Sequence, residues 1–267
     1  MLETLALMDD EDIALDEAAL ALAALDHPDA DLDHYTTRIA YFAAQLLARS
    51  ASVTASAERA VLLRDLLAHE HELTGDERCF SEEAGADLIA LLDSGRGLPV
   101  TLSLLYVAVA RKAGWTAVCL NVPGHVLIRI GREPSSVIQD PFDEGRVLDQ
   151  RALARMTARL LGPGAAPETA AFPPMGNRAT LVRLITNQAA RARRLGNLDR
   201  ALELTTRMCA LAPRMTALWW ERARLEQHLG RTTAARASLV AMRETTRDKA
   251  MTARVEAALK ALAAGSA

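Results

Sequence analysis

The stretch "SGRGLPVTLSLLYVAVARKAGW", residues 94–115, decides how the rest of the chain is interpreted. Pro99 suits the first position of a helix, because its missing N–H would have no partner there and its φ is already helical. The segments after Gly114, "TAVCLNV", "HVLIRI" and "SSVIQD", are short, rich in β-branched residues and separated by turn signals. The sequence therefore predicts a helix that begins at Pro99 and a small antiparallel sheet that follows it.

Three helices are predicted before this stretch, within residues 10–72. Acidic residues suited to a helix N-terminus open the first of them, and Pro28 ends it. Two segments with apolar residues at three- and four-residue spacing follow. We therefore expect an α+β domain over residues 1–160, with a mostly helical part at 1–93 and a core at 94–160.

Residues 161–177, "LGPGAAPETAAFPPMGN", contain four prolines and three glycines and predict a linker, since neither a helix nor a strand ladder is expected to persist there. Beyond the linker the chain is self-similar with the 34-residue period of tetratricopeptide repeats. The matching pairs are Leu195 and Leu229, Gly196 and Gly230, Ala201 and Ala235, and Met208 and Met242. Residues 178–267 are therefore predicted to form tetratricopeptide-type repeats with a capping helix. Ordinary helical hairpins are the alternative, because Arg222 and Glu226 replace usual apolar residues.

The net charge of −3 conceals a strong asymmetry between the two halves of the chain. Residues 1–177 hold 14 Lys and Arg against 27 Asp and Glu, whereas residues 178–267 hold 17 against 7. The basic half suits an acidic protein or peptide partner, but it also suits the acidic half of the same chain. The weakly acidic chain as a whole gives little support to a nucleic-acid binder.

The ends and the cysteines of the sequence favour a cytoplasmic protein that does not enter a membrane. The N-terminus is acidic where a signal peptide has a basic region, and no apolar run has the length of a membrane span. Cys79, Cys119 and Cys209 are an odd number of cysteines that lie far apart. They predict buried thiols rather than a disulfide framework or a metal site, and no cofactor is predicted.

The order of a helix, a strand with His125 and a strand with Asp140 resembles the order of Cys, His and Asp in the transglutaminase-like fold. In that superfamily a Gly-x-Cys motif starts the helix, and an arginine and a glycine follow at set distances. Counting back by those distances, from Arg111 and from Gly114, leads to position 99 both times. The resemblance therefore implies that Pro99 occupies the place of the cysteine.

A closer resemblance is to the SirB-type bacterial family, on "RGLPVTLSLLYVAVARKAG", "NVPGHVLIRI" and "DPFDEGRVLD" followed by repeats. It implies a role in the regulation of gene expression. Members of that family carry an Asn-Ser pair shortly before the Arg-Gly-x-Pro motif, whereas this chain has "SEEAGADLIALLDSGRGLP" there. The module is also similar to the core of an animal F-box protein, which implies that the fold is reused for protein interaction.

Proline has no nucleophilic atom, whereas cysteine catalysis needs a thiolate at the helix N-terminus beside a histidine. We therefore expect a non-catalytic binding or regulatory protein, a pseudoenzyme with no catalytic residue. The alternative is a hydrolase or acyl transferase that uses a non-standard nucleophile, or a water activated by His125 with Asp140.

Two binding sites are predicted. The first is a ligand cleft around Pro99, His125 and Asp140, formed by Gly97, Tyr106, Asn121, Pro123, Gly124, Phe142 and Asp143. A hydrogen bond that merely joins two strands is the alternative role of His125 and Asp140. The second is a basic peptide groove on the inward positions of the repeats, formed by Arg183, Thr186, Arg193, Arg194, Trp220, Arg224 and His228.

Overall fold

The computed structural model describes residues 2–81, 87–161 and 172–264. They divide into two compact units. The core unit is Asp9–Leu184, and the helical unit is Ile185–Ala267 together with Met1–Met8.

The described residues are mostly helical. Their helices are α1 (Leu2–Leu7), α2 (Leu15–Ala23), α3 (Leu32–Arg49), α4 (Ser56–Arg64), α5 (Leu88–Ser94), α6 (Pro99–Lys112), α7 (Gln150–Leu161), α8 (Asn177–Arg194), α9 (Leu198–Leu211), α10 (Thr216–His228), α11 (Thr232–Thr245) and α12 (Lys249–Ala264). Short 3-10 turns cover Asp10–Asp12 and Glu77–Phe80, and a π-helical turn covers Asp65–Glu70. The strands are β1 (Thr74–Gly75), β2 (Arg96–Gly97), β3 (Ala117–Val122), β4 (His125–Ile130), β5 (Val137–Asp140), β6 (Arg146–Leu148) and β7 (Pro174–Met175).

Helix α6 is the centre of the core unit. It begins at Pro99, as the sequence predicts, and its residues from Pro99 to Ala110 are all buried. A helix that is covered on every side needs neighbours on every side. Helices α2, α3 and α5 provide them together with strands β3 and β4. The helices predicted within residues 10–72 are confirmed as α2, α3 and α4.

The main sheet is antiparallel throughout, in the order β6-β5-β4-β3-β7. A tight turn at Pro123 and Gly124 joins β3 to β4, and Gly124 has a φ of 74°, which glycine adopts without a Cβ clash. The three predicted strands are confirmed as β3, β4 and β5. Strands β6 and β7 are missing from the prediction, because segments of three and two residues carry too little pattern.

The prediction of a linker over residues 161–177 is wrong for its last part. Strand β7 pairs with β3, and the Asn121 N–H donates to the Pro173 carbonyl at 3.1 Å. Proline has no N–H to donate, but it is compatible with this pairing because β7 lies at the sheet edge and the segment offers a carbonyl oxygen to β3. Residues 162–171 of the predicted linker lie outside the described part of the chain.

Asn177 holds the start of α8 inside the core unit. Its side-chain amide donates to the carbonyls of Asp10 at 2.8 Å and Ile13 at 3.0 Å, and its Oδ1 accepts from Arg111 Nη1 at 2.7 Å. The Asn177 N–H also donates to the Asp10 carboxylate at 2.8 Å. The boundary between the units therefore falls inside α8, not at the predicted linker, because the contacts with Asp10 and Ile13 join distant parts of the chain.

The helical unit contains α9 to α12 in succession, each in contact with the next. Gly196 and Gly230, the glycines of the 34-residue period, follow α8 and α10 with φ angles of 74° and 70°. Each is followed by the same reversal. The Asn197 N–H donates to Ala192 O at 2.9 Å, and the Arg231 N–H donates to Glu226 O at 2.8 Å. Both turns thus end a helix with a left-handed glycine that allows the chain to reverse.

Glu226 is a buried carboxylate on α10, where a repeat usually has an apolar residue. It is 2 % exposed, accepts from Ser238 Oγ on α11 at 2.6 Å, and pairs with Arg222 Nε at 3.0 Å. The Arg222 guanidinium also lies over the Trp219 ring, 5.6 Å from its centroid. The polar residues at these positions therefore satisfy one another and join α10 to α11.

None of the described helices is long and apolar enough to cross a membrane.

Removing Arg222 alone should destabilise the helical unit. Arg222→Leu leaves the buried Glu226 carboxylate without its counter-ion, so we expect the free energy of unfolding to fall by about 3 kcal/mol. The double variant Arg222→Leu/Glu226→Leu removes both charges and should recover most of that loss. Urea unfolding followed by tryptophan fluorescence measures both values. A double variant less stable than the single one would contradict a pairing role for Arg222.

Candidate functional site

His125 and Asp140 form a closely bonded pair in the core unit. His125 Nε2 lies 2.9 Å from Asp140 Oδ1 and 3.0 Å from Oδ2. The side chains are 14 % and 3 % exposed. A carboxylate only accepts hydrogen bonds, so this contact places a proton on Nε2 and leaves Nδ1 for another partner. The structure thus brings together the two residues predicted from the order of the strands.

The first turn of α6 lies at the same end of the sheet as His125. Ser103 Oγ donates to the carbonyl of Val126 at 3.1 Å, and Pro99 precedes Ser103 by one turn on the same helix face. At the other end, Arg111 Nε donates to Ala117 O at 2.8 Å, and Ala117 is in register with Ile130. Helix and strand β4 therefore run in the same direction, with Pro99 at the His125 end.

Phe142 forms one wall of this site. Its ring packs edge-to-face on the His125 ring at 5.8 Å between centroids, and lies 6.0 Å from the ring of Phe80. Phe142 also covers Gly75, which is paired with Gly97 in the parallel strands β1 and β2. The structure thus brings Gly97, Phe142 and the His125–Asp140 pair into one neighbourhood.

Two members of this wall were missed by sequence reasoning. Phe80 is 41 % exposed although it is large and apolar, and a Cβ on Gly75 would lie 2.3 Å from the Phe142 carbonyl oxygen. Neither residue belongs to a periodic pattern. The available signal is weak: Phe80 is one of four phenylalanines in the chain and stands in a polar segment.

Tyr106 does not line the cleft as predicted. It is fully buried because α6 is covered on all sides, and burial raises the pKa of its hydroxyl well above the usual value. The hydroxyl lies beneath the turn at Gly145, 3.1 Å from where a Cβ would stand, and has no hydrogen-bond partner among the described residues. Gln139 reaches the same turn and donates to Gly145 O at 2.7 Å. Tyr106 and Gln139 therefore pack against the turn that follows Asp140.

Asn121 and Asp143 also differ from the prediction. Asn121 is exposed and in register with Val126, one position away from the Val122–His125 pair. Asp143 is about half exposed and forms an ion pair with Arg146, with 2.9 Å between Oδ2 and Nη2. The structure describes no contact of either side chain with His125 or Asp140, but the backbone N–H of Asp143 donates to Asp140 Oδ1 at 3.4 Å.

The three cysteines form no disulfide and are all buried. Burial raises the pKa of the Cys119 thiol to about 12, and it also raises that of Cys209, in the helical unit, to about 12. Cys79 lies in the 3-10 turn beside Phe80. Within the described part of the chain, no three His, Cys, Asp or Glu residues are grouped as metal ligands.

The predicted peptide groove is only partly basic. Arg193 on α8 and Arg224 on α10 both pair with Glu221, the latter at 3.9 Å. Trp220 is covered by the Arg254 guanidinium of α12, 4.1 Å from its ring centroid. Arg194 and His228 are exposed, and His228 Nδ1 lies 2.8 Å from the carbonyl oxygen of Arg224. Thr186 Oγ1 contacts Met208.

Arg183 precedes the boundary between the two units, which falls inside α8. It lies in the part of α8 that is fixed in the core unit by Asn177, whereas the other predicted groove residues lie in the helical unit. Burial lowers the pKa of its guanidinium.

Gly75 should be the least replaceable residue near the site. In Gly75→Ala the new Cβ meets the Phe142 backbone, so we expect a loss of about 2 kcal/mol in unfolding free energy and a shifted His125 NMR signal. Gly97→Ala is the matched control, because its nearest obstacle is the flexible end of Leu91 at 2.9 Å. Equal tolerance of both variants would contradict the close packing of Phe142 on β1.

Comparison with known proteins agrees with this geometry. The family model described as transglutaminase-like superfamily matches residues 33–186, more than half of the chain. The match continues past residue 160 and includes β7 and the start of α8, as does the core unit. No solved structure matches significantly.

Two curated relatives carry the printed name "UPF0162 protein" and come from Xylella fastidiosa. The one from strain 9a5c is 25% identical over 240 residues, which cover 88% of this chain and 85% of the relative. The one from strain Temecula1 is 26% identical over 213 residues, which cover 78% and 75%. On the family match and the geometry of its helix, sheet and His–Asp pair, the chain belongs to the transglutaminase-like superfamily.

Proposed function

We propose that this chain is a non-catalytic member of its superfamily that binds a protein or peptide and acts as a regulatory or scaffold factor. The observation that carries the proposal is Pro99 at the first position of α6. That position lies at the His125 end of the sheet, where a cysteine enzyme would need its thiolate. Proline starts the helix well but offers no atom that attacks a substrate.

The native thiols give no support to a substitute nucleophile. Cys119 is buried with a pKa raised to about 12, so it is almost entirely protonated at neutral pH. Cys209 belongs to the helical unit, where burial also raises its thiol pKa to about 12, and Cys79 is buried as well. Ser103 donates its hydroxyl to a backbone carbonyl and is fully buried. These environments favour binding over covalent catalysis.

The helical unit is proposed to be a tetratricopeptide-type module of the SirB-type family. The support is the repeated turn geometry at Gly196 and Gly230, which stand 34 residues apart. Such modules bind extended peptides along the first helices of their repeats. The role in gene-expression regulation is part of the proposal through the family resemblance alone.

The binding surface proposed for the helical unit consists of Arg193, Arg194, Trp220, Arg224 and His228. An acidic peptide fits it because a carboxylate of the peptide would replace Glu221 as the partner of Arg193 and Arg224. Guanidinium forks bind carboxylates in a bidentate manner, and the exposed ion pairs that would be exchanged are weak. The peptide therefore competes with Glu221 for the two guanidinium groups.

The preserved His125–Asp140 pair favours one alternative function. A hydrolase could use Nδ1 of His125, the ring nitrogen that does not face Asp140, to activate a water, with Asp140 orienting the ring. Ester or peptide hydrolysis by the pure protein that disappears in His125→Ala would favour this alternative over the binding protein.

Introducing a thiol at the start of α6 tests whether position 99 faces His125. Pro99→Cys should react with iodoacetamide at least about ten-fold faster than a free cysteine at pH 7, because the helix N-terminus and His125 lower the pKa of the thiol. Peptide mass spectrometry separates this reaction from that of the buried native cysteines. The control Pro99→Cys/His125→Ala should react more slowly. An unreactive thiol in the folded Pro99→Cys variant would mean that position 99 does not face His125.

Removing two groove arginines tests whether the helical unit binds an acidic peptide through them. We expect Arg193→Ala/Arg224→Ala to weaken binding of an acidic peptide partner by at least about ten-fold, since both charge-assisted contacts are lost. The matched control is Arg236→Ala/Arg243→Ala, which removes the same charge from exposed positions on α11. Affinity capture with quantitative mass spectrometry compares the variants. Equal losses in both would show that only net charge attracts the partner.

A further inference from the structure

A cavity on the core unit is lined by three arginines and does not belong to the site above. It has a volume of about 260 Å³ and is formed by Arg146 of β6 and by Ala152, Arg155, Met156 and Arg159 of α7. We call it the arginine pocket.

The pocket is basic, whereas the half of the chain that contains it is acidic. Residues 146–159 contain four arginines and a single acidic residue, Asp149, although residues 1–177 as a whole are strongly acidic. Arg151, Arg155 and Arg159 also follow one another at four-residue spacing on α7. Like charges at this spacing destabilise a helix by about 0.2–0.5 kcal/mol per pair. Arginines gathered on one helix face create a local positive potential that attracts anions.

The guanidinium groups of the pocket are available to a ligand. Arg155 and Arg159 are exposed, and neither forms an ion pair or a hydrogen bond within residues 2–81, 87–161 and 172–264. Arg146 uses Nη2 for its ion pair with Asp143, which leaves most of its five donors unused. This differs from most arginines of the core unit, which have carboxylate or carbonyl partners.

The apolar side of the pocket is held in place by the sheet. Met156 is 8 % exposed and packs in one cluster with Leu120, Leu127 and Leu148, with Ala152 packed against the same cluster. The floor is therefore a fixed hydrophobic surface, and the arginines stand at its rim. A ligand that fits both parts has a doubly charged anionic group and a small apolar body.

We infer that the arginine pocket binds a small organic phosphate, a phosphate monoester dianion with an apolar or aromatic group. Guanidinium forks match phosphate oxygens in bidentate geometry, and three of them favour a dianion over a single carboxylate. The limited volume favours a small molecule over a nucleic-acid strand, which needs an extended basic track with stacking aromatics. The apolar floor distinguishes a phosphate monoester from inorganic phosphate.

Isothermal titration calorimetry of the full chain at constant ionic strength tests the inference with three probes. We expect phenyl phosphate to bind at least about ten-fold tighter than inorganic phosphate, because its ring packs on Met156, and tighter than benzoate, which has one charge. Arg155→Gln/Arg159→Gln should weaken phenyl phosphate at least about ten-fold. Arg151→Gln is the matched control: it removes one charge from the same helix outside the pocket and should change the affinity less than about two-fold.

Thermal unfolding without ligand confirms that each variant is folded before it is titrated. Loss of affinity in a folded Arg155→Gln/Arg159→Gln variant, together with unchanged binding in Arg151→Gln, supports the pocket. The inference is overturned if phenyl phosphate does not bind at concentrations on the order of 10 mM, or if it binds no tighter than inorganic phosphate. It is also overturned if a single-stranded oligonucleotide binds tighter and depends equally on Arg151, which would assign the helix to nucleic acid.

Discussion

The burial of α6 is the constraint on which the core unit depends. A helix with every residue from Pro99 to Ala110 buried has to be covered by α2, α3 and α5 on some sides and by β3 and β4 on others. Its direction is set by contacts at both ends, from Ser103 to Val126 and from Arg111 to Ala117 and Asn177. Because these contacts orient the helix along β4, the first turn of α6 lies at the His125 end of that strand.

These contacts place the His125–Asp140 pair at the end of the sheet where α6 begins. Asp140 holds Nε2 of His125, Phe142 packs on the imidazole, and the absence of a Cβ on Gly75 lets Phe142 approach. Such a preorganised surface has a use in recognition even when no atom attacks a substrate.

The sequence predicts those features of the molecule that depend on local patterns. The helix start at Pro99 and the strands β3 to β5 follow from turn residues and β-branched runs, and the choice of His125 and Asp140 follows from the resemblance to the transglutaminase-like order of residues. Strand β7 and the Asn177 contacts with Asp10 do not, since they join distant parts of the chain through short segments. Tyr106 was misplaced in the prediction for a related reason, since only the packing shows that its hydroxyl lies beneath the turn at Gly145.

The most direct test of the central claim is the intact mass of the native protein after exposure to a broad electrophilic probe, such as a chloroacetamide, at neutral pH. Because the start of α6 carries no thiol and the native thiols are buried, the account predicts no stoichiometric adduct on the folded chain, whereas the denatured chain accepts up to three. Rapid formation of a single adduct that depends on His125 would reveal a nucleophile in the cleft and contradict the account.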